Sequence, residues 1–178
     1  MAWKTKNLVS LFLLFGILFV SSCIHYSLTG ISTTAETVSI EQFFNNSDLA
    51  PANIGATFTN QLKDYYIQNS SLKVVQENGE LALEGVITDY RLNPIAPTAN
   101  APASNIRINP AALTRLTIAV KVNYVDSKKP ENSFKDKTFS FYQDFDNNLN
   151  FQTIQEDLEK KIFDQILLDI FNATVANW

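Results

Sequence analysis

Few residues in this sequence have the type and spacing needed for catalysis. The chain has one cysteine, Cys23, and one histidine, His25, only two residues later. Nucleophilic catalysis needs a base beside a serine or a thiol, and a metal site needs several ligands, yet no second histidine or spare thiol exists. The five glycines are scattered and form no phosphate-binding loop. The sequence therefore predicts a protein that is not an enzyme and that has no cofactor.

The best candidate for a cation site is the acidic stretch that begins at Asp144. Asp144, Asp146 and Asn148 occupy the first three ligand positions of a calcium loop. However, Leu149 stands where such a loop needs glycine, and the bidentate glutamate is missing. Because only half of the signature is present, the pattern favours a strand-to-helix turn in which Asn148 or Asn150 caps the next helix.

Cys23 stands at the end of a segment that has the features of an export signal. Lys4 and Lys6 precede an apolar run at residues 8–20. As a helix this run is about 20 Å long, which is too short for the ~30 Å core of a membrane. The letters VSSC that end at Cys23 resemble the lipobox of bacterial lipoproteins, in which the cysteine is acylated and the chain is cut before it. Residues 1–22 are therefore predicted to be a lipoprotein signal peptide.

Lipidation at Cys23 predicts a chain that is anchored to a membrane outside the cytoplasm, because two or more acyl chains give stable anchoring. Residues 23–36 lack periodicity and are predicted to be a tether, and residues 37–178 a single domain. Loss of residues 1–22 changes the formal net charge from −4 to −6. An acidic domain is a poor ligand for nucleic acid. In lipoproteins of the Bacteroidetes type, an acidic stretch after the cysteine tends to mark export to the outer surface. No such stretch follows Cys23, and the resemblance to lipoproteins therefore favours the periplasmic face.

Hydrophobic periodicity predicts an α+β fold. The expected architecture is a two-layer sandwich, in which a mixed sheet of four or five strands has two helices packed on one face. The last three strands are expected to form an antiparallel meander, and residues 77–80 a hairpin turn. Strands are predicted at residues 37–43, 72–76, 81–92, 116–124 and 134–145, and helices at residues 54–68 and from 151 onward.

Residues 93–113 form a segment, rich in alanine, asparagine and proline, between two strongly predicted strands. Ordinary hairpin loops have about two to five residues. A connection of this length is either disordered or contacts a partner, and the composition leaves both interpretations open.

The ordered set of these segments resembles the lipopolysaccharide-assembly lipoprotein family LptE, in its Bacteroidetes form. The resemblance extends over essentially all of the chain that follows the lipobox. It rests on the order of the lipobox and of the segments TVSIEQFFNN, ATFTNQLKDYY, LALEGVITDY, RLTIAVKVNYVD, FYQDFD and IFNATVANW.

The resemblance implies an outer-membrane lipoprotein on the periplasmic face. Such a protein associates with an LptD-type β-barrel, as plug and assembly factor in lipopolysaccharide transport, and also contacts lipopolysaccharide through basic residues. The cations available for phosphate or partner contacts are Arg91, Arg107, Arg115 and Lys121. A periplasmic lipid carrier is the alternative, with the many phenylalanines lining an acyl cavity or simply filling a core.

Overall fold

The computed structural model describes residues 33–95 and 113–175, which form one sheet and two helices. The expected α+β class is confirmed, with both helices packed against one mixed sheet. In chain order the elements are β1 (Thr37–Ile40), β2 (Phe44–Asn45), α1 (Ile54–Asn69), β3 (Lys73–Val75), β4 (Leu81–Ile95), β5 (Leu113–Asp126), a 3₁₀ turn (Pro130–Asn132), β6 (Phe134–Asp146) and α2 (Phe151–Thr174).

The sheet has the strand order β3-β1-β4-β5-β6, and β2 also pairs with β4. The two-residue β2 raises the strand count to six, one more than the upper limit predicted from the sequence. Strand β1 runs parallel to both of its neighbours, and β4, β5 and β6 form the predicted antiparallel meander. Short polar links favour antiparallel neighbours, and for this reason the meander was predictable.

The strand predicted at residues 37–43 is wrong in its second half. Strand β1 ends at Ile40, and pairing with β4 resumes at Phe44. Between them, the backbone N–H of Phe43 donates to the hydroxyl of Thr59 on α1 at 2.9 Å, so it is not available to the sheet. The ring of Phe43 is fully buried and lies over Gly85, where an added Cβ would be 2.4 Å from a ring carbon.

The hairpin predicted at residues 77–80 is also wrong. Strands β3 and β4 do not pair, because β1 lies between them and the link has to cross it. Asn78 has a left-handed φ of 56°, and Gly79 lies against the backbone of β1. A Cβ at Gly79 would be 2.3 Å from the amide nitrogen of Ser39, so only glycine fits this approach.

The two helices cover the same face of the sheet. Ring contacts join the sheet to both helices, because Phe58 of α1 lies 5.1 Å from Phe43, between β1 and β2, and 5.0 Å from Phe163 of α2. The predicted apolar stripe of α2 is buried, and Asn150 caps this helix by accepting from the N–H of Gln152. No helix in residues 33–95 and 113–175 has the length and hydropathy of a membrane span.

A small polar cluster closes the core at the C-terminal ends of the helices. The hydroxyl of Tyr66 lies 2.5 Å from that of Thr174, and the hydroxyl of Tyr124 donates to the carbonyl of Thr174 at 3.1 Å. Burial raises the pKa of Tyr66 far above its ordinary value, so its hydroxyl keeps its proton. Each hydroxyl in this cluster has a partner, which removes the cost of burying it.

The close approach of Gly79 to β1 predicts that Gly79→Ala lowers the free energy of unfolding by at least about 2 kcal/mol, because the new methyl group meets backbone atoms that cannot move independently. Urea denaturation measures this loss. Glu77→Ala, an exposed change in the same link, is the control and should have little effect. Equal stability of Gly79→Ala and wild type would contradict the crossing geometry.

Candidate functional site

The sheet face opposite the helices, called the open face below, carries the candidate cations that the structure describes. The register pairs Arg91 with Thr117, and Lys121 with Thr138, on this face. Arg115 lies on the same face because it is separated from Thr117 by two strand positions. The structure thus brings three of the four candidate cations to one surface. Cys23 and Arg107 lie outside the described residues.

Arg115 is the most tightly held of these cations. Its guanidinium donates to both carboxylate oxygens of Asp144, at 2.7 Å from Nε and 2.9 Å from Nη2, and it lies 3.6 Å from the centre of the Tyr142 ring. The hydrogen bond to Asp144 raises the pKa of Arg115. The Nε and Nη2 donors and one face of this guanidinium are therefore already occupied by contacts within the protein.

Arg91 and Lys121 make looser pairs. The Nε atom of Arg91 lies 3.2 Å from Asp89, and Nζ of Lys121 lies 3.9 Å from Asp136. The side chain of Arg91 is 57% exposed, which makes it the most accessible of the three described candidates. Since each cation faces a carboxylate, the open face is balanced in charge here. Phosphate contact through these residues stays a prediction.

The acidic stretch at the end of β6 forms a turn. One oxygen of Asp146 accepts from the backbone and side-chain nitrogens of Asn148, both at 2.8 Å, and Asp144 is bound to Arg115. Asn150, one of the two residues that the sequence offered as a cap, then caps α2. In the part of the chain that the structure describes, no group of three or more His, Cys, Asp or Glu side chains could hold a metal ion.

A second surface feature, the inter-helix cleft, opens between the N-terminal halves of α1 and α2. Its volume is about 490 Å³. Ile54 and Phe163 close its floor, and amide, hydroxyl and carboxylate side chains form its walls. The polar lining residues are Asn53, Thr57, Gln61, Gln152, Gln155, Glu156, Asp157, Glu159 and Lys160.

A hydrogen-bonded network ties one wall of the cleft to the sheet. The hydroxyl of Tyr90, from β4, donates to Glu159 at 2.8 Å, and Gln155 donates to both of these side chains. Burial of Tyr90 and the adjacent carboxylate of Glu159 raise the pKa of Tyr90 well above its ordinary value. The network therefore fixes the positions of Gln155 and Glu159 in the cleft wall.

The cleft could not be identified from the sequence. Its two walls come from helices that are more than eighty residues apart in the chain. The one local signal is that Gln155 and Glu159 flank the apolar stripe of α2 four residues apart, which places them on one side of the helix. Polar residues in that position are common on solvated helices, and the pattern alone predicts no site.

Comparison with known protein families gives one match that covers most of the chain. The family model described as "LptE: Lipopolysaccharide-assembly" matches residues 35–174. This range begins two residues before β1 and ends at the last residue of α2, so the match includes all the elements described above. No curated protein matches the chain.

Solved structures resemble this protein at low sequence identity. The hypothetical protein CT253 from Chlamydia trachomatis superposes with a TM-score of 0.53 at 9% identity, covering 80% of this chain and 99% of that one. A minor lipoprotein from Acinetobacter baumannii gives a TM-score of 0.46 at 14% identity, with coverage of 78% and 91%. Rare lipoprotein B from Shewanella oneidensis gives 0.44 at 11% identity, with coverage of 77% and 89%.

The network at the cleft wall predicts that Tyr90→Phe lowers the free energy of unfolding by about 1–2 kcal/mol, because the carboxylate of Glu159 loses a buried donor. Chemical denaturation measures the change. Tyr142→Phe is the matched control, since the Tyr142 hydroxyl has no hydrogen-bond partner among the described residues, and it should change stability by less than about 0.5 kcal/mol. Equal effects of the two substitutions would show that the Tyr90 bond contributes nothing.

Proposed function

The chain belongs to the LptE lipopolysaccharide-assembly family, and we propose that it works as an outer-membrane lipoprotein that binds an LptD-type β-barrel as plug and assembly factor. The observation that carries this proposal is the family match over residues 35–174, which spans every helix and strand of the described domain. The family acts without enzymatic turnover. The protein therefore works by binding.

The proposed anchor is a lipid on the sulfur of Cys23, facing the periplasm. Two or more acyl chains hold a protein stably on a bilayer. Confinement to the same membrane as its partner raises the effective concentration of each protein for the other. A lipid-anchored domain can therefore associate with a barrel without a large contact area.

The proposed barrel-binding surface is the open face, together with the segment at residues 93–113. Three large apolar side chains are exposed on the open face, namely Phe44 at 68%, Val125 at 56% and Tyr142 at 46%. These side chains are spaced along the sheet, and each adds apolar area that a partner can bury. Arg91 is the most accessible of the three described candidate cations and is the first candidate for contact with a lipopolysaccharide phosphate.

The alternative function, a free lipid carrier, is less well supported by the packing. A carrier needs phenylalanines that line an apolar cavity. In this protein the ring of Phe58 lies 5.1 Å from that of Phe43 and 5.0 Å from that of Phe163. Such contacts are typical of a filled core, and they favour the plug.

Lipid anchoring predicts that Cys23→Ser abolishes labelling by radioactive palmitate and lowers the amount of the protein in the outer-membrane fraction. The physical reason is that the serine hydroxyl does not replace the thiol as acyl acceptor, so that contact with the barrel is the remaining attachment in this proposal. His25→Ser is the control, and it should be labelled like wild type. Continued labelling of Cys23→Ser would remove the anchor from the proposal.

The partner contact predicts that deletion of residues 97–110 lowers co-purification with an LptD-type barrel after mild detergent extraction. Ile95 pairs with Leu113, so the ends of β4 and β5 are adjacent and a short turn can rejoin them. The variant should therefore fold, which circular dichroism checks.

Glu131→Ala, an exposed change in the β5–β6 connection, is the control for this deletion. Unchanged recovery of the barrel with the deletion variant would exclude the segment from the interface. Recovery of stoichiometric lipid without a barrel, in mass spectra of the wild-type extract, would favour the carrier.

A further inference from the structure

Four of the polar side chains that line the inter-helix cleft are not used by the fold itself. The side chains of Asn53, Thr57, Gln61 and Gln152 make no hydrogen bond to any other residue in the described part of the chain. Asn53 stands at the N-cap position of α1, yet its side chain makes no capping bond. Three amides and one hydroxyl thus line one cavity with their donors and acceptors open to a ligand.

The charge of the cleft limits what that ligand can be. Glu156, Asp157 and Glu159 contribute three carboxylates to the lining. The single cation, Lys160, is paired with Asp164 at 2.8 Å. A phosphate would meet net negative charge here and would have no uncommitted cation to bind it. The cleft therefore suits a ligand that is uncharged and rich in hydrogen-bonding groups.

We propose that the inter-helix cleft binds a neutral saccharide. Each glutamine or asparagine amide offers donors and an acceptor, which matches a sugar hydroxyl that donates and accepts at once. Carboxylate oxygens of Glu156 and Glu159 accept further hydroxyl donors. The volume of about 490 Å³ is within the range of about 300–1,000 Å³ typical of small-molecule sites. It leaves room for a short oligosaccharide.

Rigid support distinguishes this cleft from an ordinary gap between helices. The bonds from Tyr90 and Gln155 hold Glu159 in place, and the ring of Phe58 holds α1 to α2 at the floor through its contact with Phe163. Binding to a site that is already ordered loses less conformational entropy than binding to a mobile one.

The chemistry fits two sources of saccharide at the membrane surface. One is the sugar portion of lipopolysaccharide, and this choice rests on the proposed function. The other is the glycan strand of peptidoglycan. Both present hydroxyl groups in arrays, and they differ in the acetamido groups that the second carries.

The test uses the full chain in detergent, labelled with ¹⁵N, and follows the side-chain amide signals of Gln61, Gln152 and Gln155 by NMR. The probes are a phosphate-free core oligosaccharide from lipopolysaccharide, chitotetraose, and inorganic phosphate. We expect saturable shifts of these amides with one of the two sugars and none with phosphate. The sugar that binds more tightly identifies the source.

Two variants check that the ligand occupies the cleft. Loss of both amides in Gln61→Ala with Gln152→Ala should raise the dissociation constant about tenfold, and Gln61→Trp should abolish binding by filling the cavity. Gln68→Trp is the matched control, because Gln68 is an exposed glutamine two turns further along the same helix and outside the cleft. It should bind sugar like wild type.

Several outcomes would overturn the proposal. These are an absence of shifts with both sugars, equal binding by Gln61→Trp and wild type, or shifts with phosphate alone. Saccharide binding is measured without a barrel protein. A failure here therefore overturns only the ligand of the cleft, whereas failure of the barrel co-purification overturns the proposed function and leaves this result standing.

Discussion

Burial of one sheet face beneath two helices is the constraint on which this structure depends. The packing between sheet and helix is especially close around the ring of Phe43. The ring of Phe43 occupies the space that a side chain at Gly85 would fill, and it contacts Phe58 of α1. Its N–H bonds to Thr59, whose hydroxyl donates in turn to the carbonyl of Gly55. Apolar burial and a buried hydrogen bond thus fix α1 to the sheet at the same point. Helix α2 then packs against α1 through the contact of Phe163 with Phe58.

The sequence predicted those parts of the fold that depend on local patterns. Helix α2 and the β4–β5–β6 meander follow from periodicity and short links, and both are observed. The place of β1 was not predictable, because its neighbours are set by pairing with residues some 35 to 45 positions later. The break in strand pairing at Phe43 was not predictable for the same reason. The N–H of Phe43 bonds to the side chain of Thr59 on α1 instead of to a neighbouring strand. Strand propensity depends on residues that are close in the sequence. At residues 41–43, contacts with distant residues outweighed that propensity.

The candidate site shows the same division. Strand alternation accounts for the presence of Arg115 and Lys121 on one face of β5. Alternation could not show that Asp144, which pairs with Arg115 across the β5–β6 ladder, would accept two hydrogen bonds from its guanidinium. The inter-helix cleft needed two distant helices to meet before it existed. The described residues consequently present two different surfaces, a sheet face on which the three described candidate cations are paired with carboxylates and a polar, acid-lined cleft on the helical side.

The position of β1 also determines how the domain responds to pulling. A membrane anchor upstream of Thr37 would apply tension along β1, which is held on both sides by parallel partners, β3 and β4. Load in that direction shears the hydrogen bonds of two ladders together, instead of unzipping one ladder a bond at a time. The link through Gly79 lies against the same strand. A domain tethered in this way would resist mechanical extraction at its point of attachment, and motion of the bilayer would move the domain as a unit.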